Sequence, residues 1–510
     1  MEQQYFLGVD IGTTAIKAAL FDGCGQKLLH RTQEYELLKP SAQRVEQAPH
    51  VYWDTFCACV KYVVQNSGVD PRLIKAFSMD SSAETIAFMD ENLEPLDNFY
   101  VWLDSRAEEE ANEINERFPA TEIIHATGQT PIDPVYPAAK ILWFKKHKPE
   151  LFQRIRMMFM CDDYILWKMS GRMVSHGSSW CTSYLWDITR KQWWPEMLDY
   201  LGLDEYQLPT LYETGTPIGT ILPQIADELG LPRDLLLVVG GQDQSSGAIG
   251  VGNVKPGIFS ESTGGALMVC TATYRPVFDE NGCIPCNYSD MEDVYMIQGG
   301  AKGGILFRWL RDNLCREEMM RELAGEGDSY DFMTGLAAAT PPGAEGLFLL
   351  PFFGGGSTPN PDIYGRGILY GLNLGHTKGH IIRAFMEGLA CNITKIIEYT
   401  ERLTGIQVTQ VRSLGGGSLS PVWCQIKADV LNRQVVTMKN TQDAACLGAA
   451  IVAGYGYGAF DSIADTALKF AKIDRVYDPN PENRAVYDQL LKKYDLLIQA
   501  TKGYTEELAK

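Results

Sequence analysis

The chain has 510 residues, 45% of them hydrophobic and 21% charged, with a formal net charge of −19. That length exceeds what one hydrophobic core usually organises, so at least two domains are expected. The negative balance excludes broad electrostatic attraction to nucleic acid or to an anionic membrane, and an anionic substrate would need a local positive site. The opening residues carry no basic segment ahead of a long apolar run, and no uninterrupted apolar stretch reaches a membrane-spanning length. Neither a signal peptide nor a membrane span is expected, and the protein reads as cytoplasmic. The 12 cysteines are scattered. Cys283 and Cys286 form a C-x-x-C with no second pair or nearby histidine, and read as thiols in a reducing compartment and not as zinc ligands.

Tyr5 to Asp10 reads as a buried strand, Ile11-Gly12-Thr13-Thr14 as a tight turn and Ala15 to Phe21 as a second strand. After Asp22-Gly23-Cys24-Gly25, Gln26 to Thr32 makes a third, so the chain opens as an antiparallel meander. Apolar spacing predicts a helix over Val51 to Gln65, and two short strands lie within Ile74 to Met89, around the polar segment Asp80 to Thr85. From Tyr136 to Leu201 the pattern turns helical and rich in tryptophan. Trp167, Trp180, Trp186, Trp193 and Trp194 are read there as packing residues. Leu235 to Gly240 is a short buried strand that ends at Gly241-Gln242-Asp243.

A second meander-like stretch follows, Gly257 to Glu261, Gly265 to Thr271 and Val294 to Gln298. The opening organisation thus recurs, which predicts two similar α/β halves with a cleft between them, residues 1–248 and 249–510. Gly379 to Leu403 has one broad apolar face, with Gly405 just past its end. A strand over 409–414 leads into Gly415-Gly416-Gly417, and Ser420-Pro421 reads as the cap and first residue of a helix to Leu431. The last forty or so residues read as a charged, amphipathic surface helix.

Several of these features place backbone N–H groups or a carboxylate at the end of a buried element. Asp10 ends the first strand, and Gly12-Thr13-Thr14, with Lys17 close behind, could cradle a phosphate while the aspartate holds a hydrated magnesium ion. A turn of this kind also serves as an ordinary hairpin. Asp243 could take the proton of an attacking hydroxyl, and could equally cap the helix that follows. Thr263-Gly264-Gly265 and Gly415-Gly416-Gly417 are glycine turns of common type, and no strand–GxxxxGK[ST]–helix loop is present. His376 and His380 are one helical turn apart with no third ligand nearby.

The order of these features, together with Trp102-x-Asp104-x-Arg106-Ala107 and the stretch ending Arg383-Ala384-Phe385-Met386-Glu387-Gly388, resembles the FGGY carbohydrate kinases across nearly the whole chain. The resemblance implies two actin-like (ribonuclease H-like) domains, sugar held mainly by the first and ATP mainly by the second. It implies that Asp10 orients Mg2+, joined by Asp243, and that Gly12, Thr13, Thr14 and Lys17 face the terminal phosphates. Asp243 would be the general base, with Gln244 beside it at the substrate. Gly415 and Gly416 would pass under the nucleotide, and Ser420 would lie near adenine or ribose. Thr263-Gly264-Gly265 would hold another phosphate, although it departs from the family's G-T-G or G-T-S order. A homodimer is also implied.

Substrate identity is expected at Ser82-Ala83-Glu84-Thr85. Xylulose kinases usually present Gln-Met-His-Gly there and glycerol kinases Gln-Arg-Glu-Thr; this chain has the glutamate without the arginine. Glu84 can accept hydrogen bonds from two neighbouring hydroxyls. Trp102 and a residue of the Val135-Tyr136 pair are the aromatic or apolar candidates beside it. The expected substrate is a small ketose, xylulose-like, or a glycerol- or erythritol-type polyol, and the sequence leaves a sugar acid open. An actin-like ATPase and a non-catalytic sugar-binding regulator remain as readings from other classes; ADP release with and without a polyol panel separates the three.

Overall fold

The computed structural model describes residues 3–264, 266–356, 358–362, 364–439 and 441–508. They form two compact units. The first gathers the residues up to Val254, Thr273–Met296 and Asp443–Ala471; the second gathers Lys255–Ala272, Ile297–Gln442 and the residues from Lys472 onward. Compactness therefore does not follow sequence order at residue 248, because stretches far along the chain return to the first unit.

The first unit is built on a sheet whose strands are β1 (Tyr5–Ile11), β2 (Ala15–Asp22), β3 (Lys27–Glu34), β4 (Ile74–Ser81), β5 (Pro217–Thr220), β6 (Leu236–Val238) and the short β7 (Gly241–Gln242). Their order is β3-β2-β1-β4-β6-β5, with β7 beside β4. The meander β1-β2-β3 is antiparallel, whereas β4 runs parallel to β1, β6 and β7. Helix α1 (Pro49–Asn66) contributes Phe56, Val60 and Val63 to a core that also holds Leu7, Val9 and Phe77.

On the second unit the strands β8 (Ile258–Thr263), β9 (Ala266–Thr273), β10 (Tyr295–Lys302), β11 (Gln410–Leu414), β12 (Val435–Met438) and β13 (Ile473–Tyr477) run in the order β10-β9-β8-β11-β12-β13. As in the first unit, a hairpin leads, two parallel neighbours follow (β8 to β11 to β12) and an antiparallel strand closes the edge. The recurrence expected from the sequence is thus a recurrence of strand order. It is carried by alternation and turn chemistry, not by repeated residues.

Four helices position the features that follow. α2 (Asp243–Gly250) starts directly from β7, and α3 (Lys378–Thr404) is the long core helix, ended by Gly405 at φ 74°. α4 (Pro421–Leu431) begins at Ser420, whose hydroxyl accepts from Trp423 N at 3.3 Å. α5 (Ala444–Tyr457) lies on β1 and β4 and crosses α2. A Cβ at Gly8 would stand 2.0 Å from Cys446 O, and one at Gly448 2.0 Å from Ser246 O, so these approaches require glycine. The C-terminal helix α6 (Arg484–Leu508) is solvated over most of its surface and docks by one face, where Tyr487, Leu490, Leu491 and Tyr494 are buried. Among the described residues, no helix is long and apolar enough to cross a membrane.

Trp180, Trp186 and Trp194 are buried, with Trp180 edge-on to Trp193 at 5.1 Å, in keeping with packing roles. Both family-like motifs also turn out to be built into buried polar clusters. Asp104 and Arg106 form a two-point ion pair at 2.7 Å, Arg106 also reaches Glu46 at 2.5 Å, and its guanidinium lies 3.9 Å over the Tyr100 ring. Arg383 donates to Glu387 at 2.7 Å, to the carbonyls of Ala337 and Thr340, and to Tyr487 Oη at 2.9 Å.

Candidate active site

The first unit collects carboxylates at the ends of parallel strands. Asp10 on β1 is in register with Asp80 on β4, and Asp80 with Gly241 on β7, one residue before the Gln242 that leads into Asp243. Asp243 opens α2, where the unsatisfied N–H groups of a helix start favour negative charge. Burial, with the charges of Asp10 and Glu84, nevertheless pushes its carboxyl up to about 8, while donors from Gln244 pull it back. Asp10 is raised by burial, with Lys17 opposing. Asp80 is raised well above the usual range by burial and then by Asp10, Asp243 and Asp290, and no donor among the described residues reaches either of its oxygens.

The turn after β1 closes through Gly12 N to Ala15 O at 3.0 Å, and Tyr35 Oη donates to Gly12 O. Thr13 is half-buried and accepts from Trp102 Nε1 at 2.7 Å, so the expected aromatic contact and the expected phosphate turn are hydrogen-bonded to each other. Thr14 is exposed. Lys17 stands 3.6 Å from the buried Asp443, which also holds Lys27 and, at 2.9 Å, His30.

Ser82 and Ala83 are buried, and Ser82 N donates to Ile11 O at 3.1 Å, tying this segment to the end of β1. Glu84 is half-buried at φ 63°, a left-handed conformation that a non-glycine residue adopts only when its surroundings hold it. Lys140 supplies the hold: its ammonium, wholly buried, donates to Glu84 O at 3.0 Å and to Val101 O at 2.9 Å. Burial lowers Lys140 to about 7 against the pull of Asp104 and Glu84. Glu84 is raised by burial, with Thr182 and Lys140 opposing. Tyr136 packs on Tyr184 at 4.8 Å, and Glu84 is among the charges that raise its hydroxyl after burial.

Behind Asp243 runs a buried polar chain that sequence reading missed. Ser81 donates to Asp162 at 2.8 Å, Asp162 meets His176 at 2.6 Å, and His176 meets Ser178 at 2.8 Å. Asp290 then accepts from Ser246 at 2.7 Å and from Gln242 N at 3.1 Å, on either side of Asp243. Burial opposes a charged His176, but Asp162 outweighs it and raises the imidazole. A Cβ at Gly241 would lie 1.9 Å from Asp290 Oδ2, so that glycine makes room for the carboxylate. These partners lie far apart in sequence and carry no local spacing signal. Asp80 did carry one, a second strand ending on aspartate like the first.

The second unit presents two glycine turns. Gly264 and Gly415-Gly416 are exposed, whereas Thr263 is buried and its hydroxyl donates inward to Glu261 at 2.7 Å. Gly415 has φ 69° and ψ −168°, and a Cβ there would meet Thr263 O at 2.8 Å. Ser420 spends its hydroxyl on the cap of α4. Gly265 lies outside the described residues.

Comparison with known proteins accounts for this pairing of an acid-lined unit with a glycine-turn unit. The family model for the N-terminal domain of the FGGY carbohydrate kinases matches residues 5–250, and that for the C-terminal domain matches residues 262–457. The chain belongs to the FGGY family of carbohydrate kinases. It is 27% identical over 509 residues to a xylulose kinase of Staphylococcus epidermidis, covering 100% of this chain and 99% of that one. It is 30% identical over 510 residues to a gluconokinase of Bacillus licheniformis, covering 99% and 98%. A crystal structure of ligand-bound xylulose kinase from Lactobacillus acidophilus superposes with a TM-score of 0.90 at 25% identity, covering 99% of this chain and 100% of that one. This FGGY kinase is therefore an enzyme with the actin-like fold.

Whether the residues of this kinase suit magnesium is a question of donor chemistry. Among the described residues no three His, Cys, Asp or Glu side chains enclose a metal ion. Magnesium needs no such cage, since it keeps several waters and is held by one or two carboxylates plus substrate phosphates. Asp10 beside an Asp80 without donors, with Asp243 close enough to raise it, is a hard-oxygen set of that kind.

Proposed function

We propose that this kinase transfers the γ-phosphoryl group of ATP to a primary hydroxyl of a neutral ketose, xylulose-like, with Asp243 as the general base. The observation that carries this reading is the state of Asp243: at the start of α2, half-buried, with a carboxyl near 8. A base poised near the working pH takes a hydroxyl proton without binding it too tightly to release. Gln244 donates to that carboxylate and orients it. Asp10 and Asp243 would hold the magnesium ion, which when bound supplies neutralisation of charge on the phosphoryl oxygens. Gly12, Thr13, Thr14 and Lys17 would face the terminal phosphates, and Gly415 and Gly416 would offer backbone N–H groups to the nucleotide.

Neutrality of the acceptor is supported by charge. Glu84 and Asp243 are both acidic, and Lys140 commits its ammonium to two carbonyls while burial brings it near neutrality. An aldonate would meet repulsion from these two carboxylates. Glu84 also favours a second reading, a glycerol- or erythritol-type polyol, because its two oxygens can accept from vicinal hydroxyls. Ser82, Ala83, Trp102 and Tyr136 would line the substrate beside it.

ADP release measured across ketopentoses, polyols and aldonates, with Asp243→Asn alongside, tests this. Turnover on a neutral acceptor that the variant loses supports it; preference for an aldonate, or near-normal turnover by the folded variant, overturns it.

A further inference from the structure

Strand alternation puts Glu261 and Thr263 on one face of β8, and parallel register puts Glu261 beside Ser413 on β11. Glu261 and Lys427 are both fully buried and ion-paired. Lys427, on α4, also donates to Ser413 Oγ at 2.9 Å, and its ammonium lies 4.9 Å over the ring of Trp423. Ser413 donates to the same Glu261 oxygen as Lys427, and Thr263 donates to the other one at 2.7 Å. One carboxylate thus grips three elements: the turn at Thr263-Gly264, the strand entering Gly415-Gly416 and the helix leaving it.

A buried ion pair is a poor source of stability, since two apolar residues of similar volume hold a core as well or better. Its distinctive property is direction: each oxygen accepts only from donors in defined places. The two turns also touch, with no room for a Cβ between Gly415 and Thr263 O, so an orientation set at Glu261 passes to both.

We infer that Glu261 and Lys427 are positioning residues for the nucleotide, aligning the backbone of the two glycine turns, and that they contribute this alignment in place of stability. The inference rests on the reading that these turns hold ATP.

The test is the apolar double variant Glu261→Leu/Lys427→Met in the full chain. Its melting temperature should match or exceed that of the unaltered protein. Its KM for ATP, and its dissociation constant for Mg·ADP by titration calorimetry, should rise about tenfold, while the sugar KM changes less than twofold. Unchanged nucleotide affinity in the folded double variant overturns the inference. Should that variant fail to fold, Ser413→Ala removes one link without stranding a charge. A rise of about threefold in the Mg·ADP dissociation constant, with sugar KM constant, then supports alignment, and no rise refutes it. An unaltered protein that binds Mg·ADP but phosphorylates no neutral acceptor would sink the substrate reading and leave this one standing.

Discussion

Asp80 faces Asp10 across two parallel strands, and neither of its carboxylate oxygens meets a donor among the described residues. Two acids so placed cannot both ionise at low cost: burial raises both, the charge of Asp10 raises Asp80 further, and a hydrogen bond from Asp80 lowers Asp10 in turn. Asp80→Asn relieves that conflict and should fold with an unchanged or higher melting temperature in the absence of ligands. Asp80 would also orient and polarise Asp10, the acid expected at magnesium. The same variant should therefore need about tenfold more Mg2+ for half-maximal turnover. A magnesium titration of ADP release decides it.

Asp243→Asn removes the base and should lower kcat by about 10²–10⁴-fold. Its stability should move the other way. The folded carboxyl titrates near 8 and the unfolded one near 3.8, so the native state holds the extra proton between those values. The stability that Asp243 contributes is complete below the unfolded value and is lost as pH rises through about 8. The ligand-free variant should melt above the unaltered protein at pH 8 by about 2 °C or more, with the gap closing toward pH 4. Thermal scans at four pH values show whether it does.

Glu84→Gln keeps the shape of the side chain and loses its charge. The KM of the preferred neutral sugar should rise by about tenfold or more, because hydroxyls that donated to a carboxylate are left with a weaker acceptor. The KM for ATP should stay within twofold. A parallel gain in gluconate turnover would locate the exclusion of acids at this residue; a larger effect on ATP than on sugar would contradict the placement.

Arg383→Met examines a motif that resembles a signature yet is built as a clamp. Loss of the arginine leaves Glu387 buried without its cation and takes a donor from the carbonyls of Ala337 and Thr340, at a cost of about 3–5 kcal/mol. Denaturant midpoints should fall sharply, while protein that remains folded keeps both KM values. Selective loss of nucleotide affinity would instead assign Arg383 to the site.

Much of the architecture is local in origin and was legible. The meander β1-β2-β3, the helix ended by Gly405 and the Ser420-Pro421 start of α4 follow from alternation, apolar spacing and cap chemistry, which act over a few residues. The placement of Asp10, Asp243 and the glycine turns at the ends of buried strands was legible for the same reason, whereas the roles expected of them rested on the family resemblance. The amphipathic surface reading of α6 was legible too, although which residues dock it, Tyr487, Leu490, Leu491 and Tyr494, shows only in the fold.

What the sequence by itself determined, then, is the kind of machine: an acid-lined unit and a glycine-turn unit, each with the same strand order, in the pattern of an FGGY kinase. Only the tertiary structure decided how the pieces are held. Lys140 reaches from its helix to fix Glu84, Asp290 secures Gln242 and Ser246 on either side of Asp243, and Glu261 and Lys427 meet from positions 166 residues apart. Hydrogen bonds and buried charges act over about 3 Å in space and carry no spacing rule along the chain. Their partners become visible only once folding brings them together.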